Sequence, residues 1–336
     1  MTVAELGEHA LITRITSRLS SPPWVVVGPG DDAAVIEPEP RMLEVLTTDA
    51  QVEGIHFDRR FCPPDAIGHK ALAVNLSDLA AMGALPRAAL LSLVVPGELP
   101  VSDVDALLDG LLRLAARHRV ALVGGNITRS PQAGLLVVDV TATGAVGRRR
   151  ILTRTGARPG DDVFVTGSLG AGVAGLRALR EWSASGKGSD PLATVHMARY
   201  LRPEPRVRAG LLLGRNRAAS ACMDLSDGLA DGVRQIADAS QVGMVIDAAE
   251  LPIDGETMRW FTQHGADPQI AAAAGGDDYE LVFTSRPAQR GRLRGVRNHL
   301  GDLPITKIGV VTKGRELVLK TATGDRELPA GFEHFK

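Results

Sequence analysis

The sequence predicts a two-domain protein of the α+β class, and three observations predict it. The chain has 336 residues, about twice the size of one ordinary domain. Apolar runs with helical and with strand spacing follow one another in mixed order, and a turn-rich basic stretch interrupts them near residue 150. Hydrophobic residues make up 44% of the chain and charged residues 23%, a globular composition that excludes a disordered or fibrous protein. Thirty-eight Lys and Arg against 39 Asp and Glu leave a formal net charge of -1. No global basic field is therefore present to attract nucleic acid or an anionic membrane, and any polyanion must be met locally.

The elements follow in order. Leu6, Ala10, Leu11, Ile15 and Leu19 fall at helical spacing and predict an opening helix over Glu5 to Leu19, stopped by Pro22 and Pro23. Short strands are expected at Val25–Val27, Ala33–Ile36 and Leu43–Thr47, with Thr48 and Asp49 closing the last. A long helix is expected over Asp65–Met82, a buried strand over Ala88–Val95, an amphipathic helix over Ser102–Arg117, and strands over Val120–Val123 and Leu135–Ala145. Three arginines, Arg148 to Arg150, lead into the turn-rich stretch ending at Gly160, which marks the boundary between domains 1–148 and 149–336. Beyond it come a strand at Asp162–Thr166, helices at Val173–Trp182 and Pro205–Leu213, and a Gly/Ser-rich loop at Ser183–Ser189. A strand at Ala221–Met223 meets a helix at Leu229–Ala239, and strands and helices alternate from Gly243 to Leu319 without a tandem repeat.

Several familiar chemistries are excluded. Cys62 and Cys222 lack CxxC spacing, and the eight histidines form no HxxxH pair, so neither a disulfide framework nor a zinc site is expected and a reducing cytoplasm fits. The N-terminus lacks a basic segment followed by an apolar one, and the run around Ala88 to Val95 is far below a membrane span, so export and membrane insertion are not expected. Gly170-Ala-Gly172-Val-Ala-Gly175 fits GxGxxG, but no second strand ending in an acid follows, and the fingerprint needs that context. Lys187 is followed by Gly188, so no P-loop exists.

The acids carry the chemical signal. Asp31 and Asp32 precede an apolar run, Asp49 follows Thr47 and Thr48, and Asp78 lies inside an otherwise apolar helix. Asp224, Ser226 and Asp227 stand between a short strand and a helix, and Asp277 and Asp278 precede Leu281-Val-Phe283. Buried carboxylates that converge require a compensating cation, and oxygen-only ligands select a hard ion, with Mg²⁺ beside phosphates the commonest solution. Each group also has a purely structural reading. Asp31 and Asp32 equally form an Asx turn, as the repeat of the tripeptide at Gly160-Asp161-Asp162 does. Asp224 or Ser226 equally caps the following helix, Asp277 is equally a solvated loop acid, and Thr48 with Asp49 equally closes a strand. His56 and Arg154, read alone, are a structural histidine and a surface charge. Asp78 resists such a reading, because Leu72, Val74, Leu76, Leu79 and Met82 surround it.

Taken in order, these blocks resemble the thiamine-monophosphate kinase family, part of the superfamily that includes aminoimidazole ribonucleotide synthetase and selenophosphate synthetase. The resemblance spans nearly the whole chain. It is carried by Gly30-Asp-Asp-Ala-Ala34, Thr48-Asp49, Gly54-Ile-His-Phe57, the run from Lys70 to Ala84 and Gly124-Gly125. It continues through Leu152-Thr-Arg154, Asp224-Leu-Ser-Asp-Gly-Leu229, Gly276-Asp-Asp-Tyr-Glu-Leu281 and Gly331-Phe-Glu-His-Phe335.

The resemblance implies an N-terminal mixed or antiparallel sheet with helices that dimerises and binds ATP and Mg²⁺. It implies a C-terminal α/β sandwich domain that completes the nucleotide and substrate site. The implied reaction is transfer of the ATP γ-phosphoryl group to thiamine monophosphate, with several Mg²⁺ ions, in a cytoplasmic homodimer. Matched position by position, it gives Asp32, Thr47, Thr48, Asp49, Asp78, Asn126, Asp224 and Asp227 as the metal shell. It gives Gly125, Asn126, Arg154 and Ser226 to ATP, and His56, Asp277 and Phe332 to the thiamine substrate. Asp32, Asp49, Asp78, Asp224 and Arg154 are the catalytic set it implies. Three positions depart from the family pattern: Asn126 where Asp is usual, Asp277 where Glu is usual, and Phe332 where Trp or Tyr is common. Two other readings follow from these departures. One is a related ATP-dependent enzyme with another small phosphorylated acceptor; the other is a weakly catalytic binder of Mg–ATP or thiamine phosphate.

Overall fold

A computed structural model describes residues 1–131, 134–185 and 194–331. The chain forms two compact units, the first of residues 1–79 and 85–147, the second of residues 80–84 and those from Arg148 onward.

The first unit opens with two short helices, α1 (Val3–Leu6) and α2 (Glu8–Thr16), where one helix was expected. Gly7 between them has φ 82, which no continuous right-handed helix accommodates. A small antiparallel pair follows, β1 (Val25–Val27) and β2 (Val35–Ile36). The main sheet has four strands in the order β3 (Leu43–Val52), β6 (Val137–Val146), β4 (Leu85–Val95), β5 (Ala121–Arg129); only β4 and β5 are parallel. Two long helices belong to this unit, α3 (Pro64–Ala81), whose last two residues fall in the second unit, and α4 (Val101–His118). On α4, Val104, Leu107, Leu108, Leu111 and Leu114 recur at helical spacing and are all buried, and Arg119 in the left-handed region ends the helix.

β4 starts at Leu85, three residues before the expected Ala88, and β3 and β5 run past their expected ends. β3 continues five residues past Thr47 and pairs with β6 along its whole length, so Thr48 and Asp49 are mid-strand and do not close it. β5 carries Gly124, Gly125 and Asn126 inside the strand. Alternation decides what each face holds. On β6, Val138, Val140 and Ala142 are buried, whereas Asp139, Thr141 and Thr143 between them are partly exposed. The sheet thus has one packed face and one open face, the open one showing Leu46 at 69% and Leu90 at 40% exposure.

The second unit is built on a seven-stranded sheet in the order β13 (Gly324–Glu327), β12 (Leu317–Thr321), β9 (Gly243–Asp247), β11 (Ile305–Thr312), β7 (Asp162–Thr166), β10 (Leu281–Ser285), β8 (Ala221–Asp224). All its pairs are antiparallel except β12 with β9. Its helices are α5 (Ala171–Ser185), α6 (Val195–Leu201), α7 (Val207–Asn216), α8 (Leu229–Ser240), α9 (Gly255–Gln263), α10 (Pro268–Ala274) and α11 (Arg290–Leu300). β7 and β10 are buried throughout, as their near-continuous apolar runs require. Val165, Met223, Val282, Met244 and Ile246 of the sheet share a core with Leu229, Val233 and Ile236 of α8. Of the Gly/Ser-rich stretch, Ser183–Ser185 complete α5, and its remaining residues lie outside the described ones.

Candidate functional site

In the first unit the packed face of β3 meets α3. Thr47 donates its hydroxyl to the Asp78 carboxylate at 2.5 Å. Asp49 and Gln51 follow Thr47 at strand spacing on the same face, and Gln51 is buried. Thr48 points the other way, with its Oγ1 3.0 Å from Thr141 Oγ1 and 3.2 Å from Asp139 Oδ1. Asn126 stands on that open face as well, exposed, paired in register with Ser92 and donating to Thr128 Oγ1 at 3.0 Å. The sheet therefore divides the expected ligand set, with Thr47, Asp49 and Asp78 on one side and Thr48 and Asn126 on the other. Asp139, which the sequence reading passed over, belongs to the open-face group; its place opposite Ala50 follows once β3 is extended.

Gly125 is in β5 because of a close strand approach: a Cβ there would lie 1.9 Å from Leu91 O. Asp32 is exposed in the loop between β1 and β2, and its N–H donates to Asp31 Oδ1 at 3.0 Å, which makes the first Gly-Asp-Asp a turn in form. His56 lies in the turn after β3, where its Nδ1 accepts from Val52 N at 3.1 Å.

In the second unit β8 delivers buried Asp224 as its last residue, opposite Leu281 of β10. The N-cap position of α8 is taken by Gly228, at φ 99, and not by Asp224 or Ser226. Ser226 Oγ instead lies 3.4 Å from Asp227 Oδ2. The loop 275–279 runs beside this one: Asp277 N donates to Ser226 O at 2.7 Å and Tyr279 N to Leu225 O at 2.9 Å. A Cβ on Gly276 would stand 2.6 Å from Ser226 O, which requires glycine there. The two acidic motifs of this unit are thus zipped together by their backbones.

The acids of the second motif have separate tasks. Asp278 is buried and accepts from Gly170 N at 2.7 Å and Gly172 N at 3.0 Å, at the start of α5. Burial pushes its carboxyl up to about 7, against the pull of those two N–H groups. Gly170 and Gly172 of the GxGxxG stretch consequently serve the protein's own carboxylate. Glu280 is fully buried and accepts from Arg199 Nη2 at 2.6 Å, Arg206 Nε at 2.6 Å and Thr166 Oγ1 at 2.7 Å. Asp277 alone of the three is only partly buried, with φ 66 and the Tyr279 hydroxyl 3.3 Å from its Oδ1. The second Gly-Asp-Asp is a structural turn, in which Asp161 Oδ2 accepts from Arg158 N at 3.1 Å and Ser220 Oγ at 2.6 Å.

Arg154 is exposed, and its Nη1 donates to Gln235 Oε1, whose amide in turn donates to Asp231 Oδ2 at 2.5 Å. Asp231 and Gln235 were not singled out from sequence; their i, i+4 spacing on α8 was the available signal. Phe332 lies outside the described residues. Among the described residues no group of three or more His, Cys, Asp or Glu is placed to hold a metal ion, and no helix is long and apolar enough to cross a membrane.

Comparison with known proteins places this arrangement in a class. Residues 30–146 match the family of AIR synthase related proteins through its N-terminal domain, and residues 158–321 through its C-terminal domain. Thiamine-monophosphate kinase of Bacillus subtilis is 37% identical over 335 residues, 98% of this chain and 100% of the relative. The thiamine-monophosphate kinase of Escherichia coli K12 is 39% identical over 337 residues, 98% of each chain. Among solved structures, thiamine-monophosphate kinase from Stenotrophomonas maltophilia superposes with a TM-score of 0.81 at 39% identity, covering 93% of this chain and 96% of its own. AaThiL complexed with AMPPCP and TMP gives 0.77 at 34% identity, covering 100% of this chain and 99% of its own. The hydrogenase maturation protein HypE shares the fold, at a TM-score of 0.78 and 19% identity over 99% of this chain and 98% of its own. The chain belongs to the thiamine-monophosphate kinase family, within the wider group of AIR synthase related proteins.

Proposed function

We propose that this protein transfers the γ-phosphoryl group of ATP to the phosphate of thiamine monophosphate, giving thiamine diphosphate and ADP. The observation that carries the reading is likeness to thiamine-monophosphate kinases over 98% of the chain at 37% and 39% identity. The chemistry of the residues agrees with it. The acceptor is a phosphate that is already ionised, so no strong general base is needed; the barrier lies in bringing two polyanions into line.

An acid-rich site serves anionic substrates by recruiting cations, and the donor set fits Mg²⁺. Thr47 and Asp78 present oxygens 2.5 Å apart. Two further oxygens of this unit, Gln51 Oε1 and Asn75 Oδ1, are buried without a hydrogen-bond partner among the described residues. Oxygen donors of this kind suit a hard divalent ion. Asp32, Thr47, Asp49 and Asp78 of the first unit and Asp224 and Asp227 of the second would hold several Mg²⁺ ions, with Thr48 and Asn126 as further donors from the open face. Bound Mg²⁺ neutralises phosphate charge and orients the transferring group.

The remaining residues bind and orient. Gly125, Asn126 and Ser226 take the nucleotide, and Arg154, whose guanidinium already reaches Gln235, balances charge on the transferring phosphoryl group. On the thiamine side, His56 offers its imidazole, Asp277 offers a carboxylate to the amino group of the pyrimidine, and Phe332 offers a ring for stacking. In this account domain 1–148 carries the Mg²⁺- and ATP-binding residues named from the first unit, and domain 149–336 carries Arg154, Ser226 and Asp277.

The reading includes a cytoplasmic homodimer. The open face of the four-stranded sheet, with Leu46 at 69% and Leu90 at 40% exposure, supports a second copy as its cover. Leu46→Glu is expected to yield a monomer by sedimentation; an unchanged mass contradicts that cover. The reaction itself is tested by ADP release with Mg²⁺ and ATP against thiamine, thiamine monophosphate and a panel of other phosphorylated metabolites. Release with thiamine monophosphate alone supports the reading, and release with a different acceptor overturns it.

A further inference from the structure

We propose that Asp278 and Tyr279 are positioning residues for Asp277, setting where its carboxylate meets the thiamine end of the substrate; this rests on the function proposed above. The loop is held in a conformation that its residues do not prefer. Asp277 has φ 66 and Tyr279 φ 51, the left-handed region twice within three residues, without a glycine at either position. Each such residue carries a backbone cost and persists only where its surroundings over-determine it; strain of this kind collects at functional sites.

The surroundings do over-determine it, from three directions. Behind the loop, Asp278 is buried and accepts from the N–H groups of Gly170 and Gly172, at 2.7 and 3.0 Å, which fastens the turn to the start of α5. At its side, the backbone of Asp277 and Tyr279 is bonded to Ser226 O and Leu225 O, at 2.7 and 2.9 Å. In front, the hydroxyl of Tyr279, a residue only 7% exposed, lies 3.3 Å from Asp277 Oδ1. Asp278 is buried and bonded to the start of α5 and Tyr279 is packed, whereas Asp277, between the loop's backbone bonds and the Tyr279 hydroxyl, is partly exposed. The Tyr279 hydroxyl therefore bears on the direction of the Asp277 carboxylate.

The test is the steady-state kinetics of Tyr279→Phe, Asp278→Asn and Asp278→Ala, beside the wild type, with thermal unfolding of each. Tyr279→Phe, which removes a single oxygen, is expected to fold normally and raise KM for thiamine monophosphate about three- to tenfold, with kcat and KM for ATP within about twofold. Asp278→Ala is expected to raise KM for thiamine monophosphate by about tenfold or more, and Asp278→Asn, which keeps one acceptor, by less. KM for thiamine monophosphate unmoved in Tyr279→Phe, or rising together with KM for ATP, overturns the inference while the functional reading stands. Wild-type protein that makes no thiamine diphosphate overturns the functional reading, and the inference with it.

Discussion

The Thr47 hydroxyl donates to the Asp78 carboxylate across 2.5 Å, tying the middle of β3 to the last turns of α3. The role proposed for this acid within an apolar helix is to hold a divalent ion. Asp78→Asn is therefore expected to weaken Mg²⁺-dependent ATP binding by about tenfold or more, the scale on which even an outer partner of a metal matters. Titration calorimetry with Mg–ATP reads this directly. Unchanged binding contradicts the ligand role.

Asp278 predicts a pH dependence of stability. Its carboxyl is raised from an ordinary 3.8 to about 7, chiefly by burial, so the folded chain holds this proton more tightly than the unfolded chain. The stabilisation is fully present below the ordinary value and is lost as pH rises through about 7. Urea midpoints measured from pH 5 to 8 should show the wild type losing stability relative to Asp278→Asn as pH rises. Parallel profiles for the two proteins contradict the raised value.

Glu280 is a stability determinant of the second unit. Its carboxylate has no exposure and takes donors from Arg199, Arg206 and Thr166. Glu280→Ala leaves two guanidinium groups without their anion and is expected to cost about 3–5 kcal/mol in denaturant unfolding. A cost under about 1 kcal/mol contradicts this assignment.

Asn126 is one of the donors proposed for Mg²⁺ and the nucleotide. It is exposed on the open face of the sheet and donates to Thr128. An amide oxygen still ligates Mg²⁺, so Asn126→Asp is expected to lower the Mg²⁺ needed for half-maximal rate and to change kcat by no more than about threefold, under about 0.7 kcal/mol in the barrier. A gain of about a hundredfold in kcat would mark the natural site as impaired.

Much of this architecture was legible in the residues, and the failures have physical causes. The α4 stripe and the β7 strand were readable because helical periodicity and a short continuous apolar run each report burial. β3 was cut short at Thr47 because its later residues, Thr48, Asp49 and Gln51, are polar, although they keep the two-residue alternation. That truncation hid the division of the candidate ligands between two faces of one sheet. In the second unit, sequence marked the Asp277–Glu280 motif but not the separate tasks of its acids. The donors that bury Asp278 and Glu280 arrive from Gly170, Gly172, Arg199 and Arg206, more than seventy residues away. The GxGxxG stretch likewise read as a failed nucleotide motif, and its first two glycines, Gly170 and Gly172, prove to serve Asp278.

The most direct test of the central claim follows the phosphoryl group itself. Phosphorus-31 spectra of the protein with Mg²⁺, ATP and thiamine monophosphate should show the monophosphate resonance replaced by the two resonances of thiamine diphosphate, in step with ADP. ATP converted to ADP with thiamine monophosphate unchanged, or no conversion while Mg–ATP binds, would contradict it.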